Sequence, residues 1–205
     1  MKLSIDHIAL SRAGRRIIDD ISFDLSEGEA MVVTGENGTG KSTLLRSLAG
    51  LLPLEEGSIT LTDETGKAFE GETREYCHYL GHQNGMKATL TVRENLEFWQ
   101  NYCGHPELTV DEALDEVDLS HAIDLPYNYL SAGQKRRAAI ARFLVSDRPI
   151  WIMDEPTSGL DAASVEIFSS ICKAYCEGGG ILIAATHLPL GLKKPRTLKL
   201  GGQVK

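Results

Sequence analysis

Nine consecutive residues, Gly35-Glu36-Asn37-Gly38-Thr39-Gly40-Lys41-Ser42-Thr43, have the types and spacing to hold phosphate. The three glycines permit backbone conformations that a β-carbon would forbid, so successive N–H groups can converge on an anion. Lys41 is placed to set its ammonium on the β- and γ-phosphates, and Ser42 to offer its hydroxyl to Mg²⁺. An apolar run, Ala30-Met31-Val32-Val33, precedes the loop, and Leu44-Leu45-Arg46-Ser47-Leu48-Ala49 follows it. That is the strand-then-helix setting of a phosphate-binding P-loop, with the positive end of the helix adding to the attraction. The chemistry expected is the binding of a nucleoside phosphate.

A second half of such a site lies far along the chain. Ile150-Trp151-Ile152-Met153-Asp154-Glu155 sets two acids after four apolar residues. A buried parallel strand of this kind delivers its last carboxylates to the C-terminal edge of the sheet, where the phosphate loop also lies. Asp154 is expected to hold Mg²⁺ through coordinated water, and Glu155 to orient or deprotonate the attacking water. Adjacent acids at a solvated strand end are common; the phosphate loop decides in favour of function. Leu130-Ser131-Ala132-Gly133-Gln134 opens the basic helix Lys135-Arg136-Arg137-Ala138-Ala139-Ile140-Ala141-Arg142. A hydroxyl, a glycine and a helix N-terminus make a second anion-binding surface. Set in a helical insertion, it is not expected to reach its own nucleotide, so a second molecule is the expected acceptor. An ordinary capped helix with an arginine-rich face fits the same residues. Gln83 could offer an amide oxygen to Mg²⁺, and His187 could touch the γ-phosphate; each is equally at home as a plain loop residue.

The elements that must position these groups follow from the pattern of apolar residues. Alternation predicts strands over 3–10 and 17–25, joined by a turn around Ala13-Gly14, and another over 58–62. A polar surface loop follows over 63–74, then a strand over 76–80. From about 84 to 145 the periodicity is helical, with Thr91 and Glu94 forming a capping box for the first helix. Two more helices are expected over 110–117 and 132–145. Strand 150–153, helix 162–177, strand 181–185 and a closing hairpin over 197–204 complete the chain. Strands alternating with helices imply an α/β fold with a parallel, doubly wound sheet, here interrupted by a helical insertion. The expected division is a nucleotide-binding core over 1–83 and 146–205, with a helical subdomain over 84–145.

Composition narrows the function classes. The chain has 205 residues, 42% apolar and 24% charged, with a formal net charge of −8. An acidic surface argues against a nucleic-acid backbone as the principal partner. No apolar run reaches the roughly 18 to 20 residues needed to cross a bilayer, and the N-terminus has no signal-peptide core. A cytoplasmic protein is expected, with any membrane association made through a partner. Cys77, Cys103, Cys172 and Cys176 fit reduced thiols there. Cys172 and Cys176 are spaced to chelate a metal or heme. However, Val165, Phe168, Ile171, Cys172 and Tyr175 form one apolar stripe, so packing explains Cys172.

The order of residues 35–43, Gln83, Leu130 to Gln134, 150–155, Ser158-Gly159-Leu160-Asp161 and His187 resembles the ATP-binding cassette (ABC) ATPases over nearly the whole chain. The corresponding family motifs are the Walker A, Q-loop, signature, Walker B, D-loop and switch histidine. The resemblance implies a RecA-like P-loop NTPase sheet with an N-terminal antiparallel β subdomain and the inserted α-helical subdomain. It also implies a head-to-tail homodimer that sandwiches two ATP molecules with Mg²⁺. Each nucleotide then lies between one Walker A and Ser131, Ala132, Gly133 and Gln134 of the other subunit. Glu155 is then the general base and Asp161 helps to connect the two sites. Tyr79-Leu80-Gly81-His82-Gln83 and Leu90-Thr91-Val92-Arg93-Glu94-Asn95-Leu96-Glu97-Phe98-Trp99 look like the heme-exporter ATPases of bacterial cytochrome c maturation. That narrower likeness implies docking through residues 84–102 on integral membrane subunits, at the cytoplasmic face of the inner membrane, without direct cargo binding. The alternatives are another ABC exporter and a soluble ABC ATPase acting on nucleic acid or ribosomes. The chain departs from the family in three places. Arg12, Ala13, Gly14, Arg15 and Arg16 stand where an adenine-stacking aromatic is usual, Gly159 replaces an alanine, and the C-terminal region is short.

Overall fold

The computed structural model describes residues 1–12 and 14–201, with the side chain of Arg12 outside the description. Two sheets form. Strands β1 (Lys2–Arg12), β2 (Arg15–Ser26) and β4 (Glu56–Thr62) make an antiparallel sheet in the order β2-β1-β4. Strands β5 (Cys77–Leu80), β6 (Ile150–Asp154), β7 (Ile181–Ala185), β3 (Ala30–Thr34) and β8 (Arg196–Lys199) make a five-stranded sheet in that order, each pairing parallel. β6 and β7 are buried at every position. A parallel strand covered on both faces reads as an unbroken apolar run, which is why these two were plain in the sequence.

Helix α1 (Lys41–Leu48) and the antiparallel sheet cover one face of the parallel sheet. There Ile150, Ile152, Ile181 and Ile183 pack with Leu44, Leu45, Leu3 and Ile8. On the other face Trp151, Met153, Leu182 and Ala184 share a core with α5 (Ala162–Glu177) and the helical segment. That segment holds α2 (Val92–Cys103), α3 (Val110–Glu116) and α4 (Ala132–Leu144). All three helices open on a capping box: Thr91 with Glu94, Thr109 with Glu112, and Ser131 with Gln134. Each box satisfies two backbone donors that a helix start would otherwise leave bare.

One expectation changes. The closing hairpin over 197–204 is, within the described residues, the single strand β8 running parallel to β3, because its residues extend the sheet edge beside Met31 to Thr34. Residues 202–204 of that expected hairpin lie outside the described residues, as does Ala13 of the expected turn. Cys172 is fully buried in the α5 stripe, where burial raises its thiol well above the usual range. No described helix is long and apolar enough to cross a membrane.

Candidate active site

Parallel pairing puts the C-terminal ends of all five strands on one edge, and the strand order decides which loops are neighbours there. The loops after β5, β6, β7 and β3 carry Gln83, Asp154 with Glu155, His187, and residues 35–43. Gly40 caps α1 at φ 98°, a left-handed backbone, and a β-carbon there would lie 2.5 Å from the Cγ2 of Ile17. Only glycine satisfies both the conformation and the space. Thr39 closes the loop through its hydroxyl to the Glu36 carbonyl at 2.9 Å. The buried Lys41 donates its ammonium to the carbonyls of Gly35 at 2.7 Å and Glu36 at 3.1 Å. Glu36, Asn37 and Gly38 are exposed, and Ser42 and Thr43 are half-buried at the mouth of the loop.

At the end of β6, Asp154 is 2% exposed and its Oδ2 has no hydrogen-bond partner among the described residues. His82 Nε2 stands 3.8 Å away. A buried carboxylate oxygen without a donor is costly unless a cation or its water occupies the site. The donor set therefore fits a hydrated hard cation such as Mg²⁺. The next residue turns sharply: Glu155 sits at φ 46°, and its N–H donates to the Ala185 carbonyl of β7 at 2.8 Å. This turn brings its Oε1 to 3.6 Å from Nε2 of His187. The two residues expected to act on water and phosphate, 32 positions apart in sequence (187 − 155), thus face each other. Gln83 is exposed on the neighbouring loop.

Ser131 caps α4, with its hydroxyl accepting from the Gln134 N–H at 3.2 Å, and both Ser131 and Ala132 are exposed. A β-carbon on Gly133 would lie 3.1 Å from the Gly159 carbonyl, so the start of α4 abuts the segment leading to Asp161. Asp161 in turn caps α5 by accepting from the Ser164 N–H at 2.8 Å, which holds its carboxyl below the usual range. Among the described residues no hydrogen bond joins Ser131, Ala132, Gly133 or Gln134 to residues 35–43.

The family model described as ABC transporter matches residues 18–158. The chain belongs to the ABC transporter ATP-binding family. A cytochrome c biogenesis ATP-binding export protein of Mesorhizobium japonicum is 50% identical to this ABC ATPase, over 94% of this chain and 95% of its own length. Among solved structures, an ABC transporter ATP-binding protein from Pyrococcus furiosus superposes with a TM-score of 0.82 at 20% identity, covering 98% of each chain. A dimeric ATP-binding cassette in a post-hydrolysis state, bound to ADP and phosphate, gives 0.80 at 23% identity, covering 97% and 94%. These two carry the fold, and the fold is that of this ABC ATPase.

One residue that the sequence left on a basic surface proves central. Arg136 of α4 is 5% exposed rather than part of an arginine-rich face, and Arg142 is 6% exposed. Arg136 Nε donates to Pro156 O at 2.8 Å. Its Nη1 donates to Gly81 O at 2.7 Å and Asn84 Oδ1 at 3.0 Å, and Nη2 to Asp154 O at 3.1 Å and Glu155 O at 2.7 Å. Arg142 turns its Nη2 to Tyr79 O at 2.5 Å and lies 4.5 Å over the Trp99 ring. Desolvation lowers the guanidinium pKa of Arg136, opposed mainly by the charge of Asp154. A periodicity signal was present: Arg136, Ala139, Ile140 and Phe143 share one helical stripe, and the other three are core residues.

Proposed function

We propose that this ABC ATPase is the ATP-hydrolysing subunit of an export complex of cytochrome c biogenesis, of the heme-exporter type. The observation that carries the reading is the 50% identity, over nearly the full length of both chains, to a protein named for cytochrome c biogenesis and export. In this reading residues 35–43 cradle the triphosphate, and Lys41 leaves its own loop carbonyls for the β- and γ-phosphates. Ser42, Gln83 and Asp154 would hold Mg²⁺, which when bound would neutralise charge on the phosphate oxygens. Glu155 accepts a proton from water as its oxygen attacks the γ-phosphorus and the bond to ADP breaks, giving ADP and phosphate. His187, beside Glu155, hydrogen-bonds the γ-phosphate and keeps the base oriented.

Two copies meet head to tail, each offering Ser131, Ala132, Gly133 and Gln134 to the partner's nucleotide while Asp161 links the sites. Ser131 and Ala132, exposed at the start of α4 and without a hydrogen bond to residues 35–43 among the described residues, support this reading. Residues 84–145 act as a signature subdomain on the core of 1–83 and 146–205. Exposed Phe98 and Tyr102 on α2 supply a surface for integral membrane subunits, so the chain works as a peripheral protein at the cytoplasmic face of the inner membrane. Neither nucleic acid nor direct cargo binding has a role. Deleting the gene and measuring covalent heme attachment to c-type cytochromes tests the reading. The deletion should abolish attachment, with wild type restoring it and Glu155→Gln failing to. Normal attachment in the deletion strain would leave an ABC exporter of other cargo as the function.

A further inference from the structure

The Arg136 guanidinium has five N–H donors and meets five acceptors, so no donor remains for a ligand. The acceptors belong to two loops of the active-site edge. Gly81 O and Asn84 Oδ1 bracket Gln83, and the carbonyls of Asp154, Glu155 and Pro156 form the backbone that carries both acids. Arg136 itself rides on α4, five residues after the capping Ser131.

Glu155 gives this contact its consequence. A non-glycine residue at φ 46° is strained and persists only when its surroundings over-determine it. Here both ends of the residue are pinned. Its N–H is held by Ala185 O of β7, and its C=O accepts from Arg136 Nη2 at 2.7 Å and from the Ser158 N–H at 3.2 Å. The left-handed turn is what points the carboxylate at His187. We propose that Arg136 is a positioning residue: it holds the Glu155 turn and the Gln83 loop in one geometry and ties both to the helix that presents the signature. The inference rests on the reading of Glu155 as the base.

The test uses Arg136→Lys and Arg136→Met in the full chain, in the assembly where the wild type hydrolyses ATP. A lysine has three donors on a point charge and cannot reproduce a planar fork, so it should not rescue. Both variants should lower kcat by about 10- to 100-fold, the scale of an ångström-level misplacement, with KM for ATP within about twofold. Amide hydrogen exchange should quicken at 81–85 and 154–158 while α4 amides 137–144 stay protected. Wild-type kcat, a matching change in KM, or exchange loosened throughout α4 would each overturn the proposal. Should Arg136→Met fail to fold, Arg136→Lys and Asn84→Ala, which withdraws one acceptor, decide by the same split. Glu155→Gln is assayed in parallel. If it is inactive while the Arg136 variants keep wild-type kcat, only this inference fails; if it turns over normally, the base assignment fails and this inference goes with it.

Discussion

At the residue scale, the site trades stability for readiness. Asp154 buries a carboxylate whose Oδ2 has no donor, and Glu155 holds a left-handed backbone. Both are unfavourable features that a neutral or relaxed residue would remove. Asp154→Asn is therefore expected to raise stability by about 1 kcal/mol, or roughly 2–4 °C in Tm for a chain of this size. It should lower ATP turnover at least about tenfold. Thermal melting beside a turnover assay checks both, and a fall in Tm would mean that Asp154 is satisfied by groups already in the fold. These acids were legible because a four-residue apolar run followed by charge is a local pattern. Arg136 was not, because its role depends on acceptors more than fifty residues upstream and about twenty downstream (136 − 81 = 55 and 156 − 136 = 20).

At the scale of elements, β5 and α4 are joined by a buried histidine. His78 hydrogen-bonds Ser146 O through Nε2 at 2.9 Å and stacks on Phe143 at 4.7 Å. Burial, aided by the charges of Arg142 and Arg148, pushes its pKa down to about 3. The folded state thus keeps His78 neutral while the unfolded chain, near 6.5, takes up a proton. Between pH 6.5 and about 3 the unfolded state binds more protons, so stability falls as pH falls. His78→Gln should reduce the acid slope by about one proton per molecule, or roughly 1.4 kcal/mol per pH unit within that window. Urea unfolding at pH 7.5, 6 and 5 measures it, and an unchanged slope would show that other groups titrate. Thr91 and Glu94 marked the start of α2 in sequence because a capping box is four residues long. The β8 pairing was illegible because a short polar-apolar strand takes its partner from the sheet edge it reaches.

At the scale of the whole molecule, Ser131 and Ala132 are exposed at the start of α4, and the proposed head-to-tail dimer uses that surface to complete the partner's site. Lys41→Ala should disable the phosphate loop, and Gly133→Asp should disable the signature by adding a charge and a side chain beside Gly159 O. Each homodimer is expected to be inactive. A mixed dimer contains one site with both defects and one with neither, so mixing the two inactive proteins should restore turnover. Its ceiling is about half the wild-type rate per dimer if the sites act independently. Absence of any recovery in mixed dimers verified by mass would refute the head-to-tail arrangement.

The sequence alone determined the glycine-rich loop between β3 and α1, the buried strand ending in two acids, the helix caps and the alternation that makes a parallel sheet. Each is written in neighbours a few residues apart, where backbone freedom, side-chain period and charge act locally. Only the tertiary structure decided that Glu155 faces His187, that Arg136 turns inward to fill its five donors, and that β8 joins the sheet. Those outcomes depend on which strand ends lie side by side, and on a buried guanidinium finding acceptors from distant loops. Long-range packing settles both, and no short window of the chain contains it.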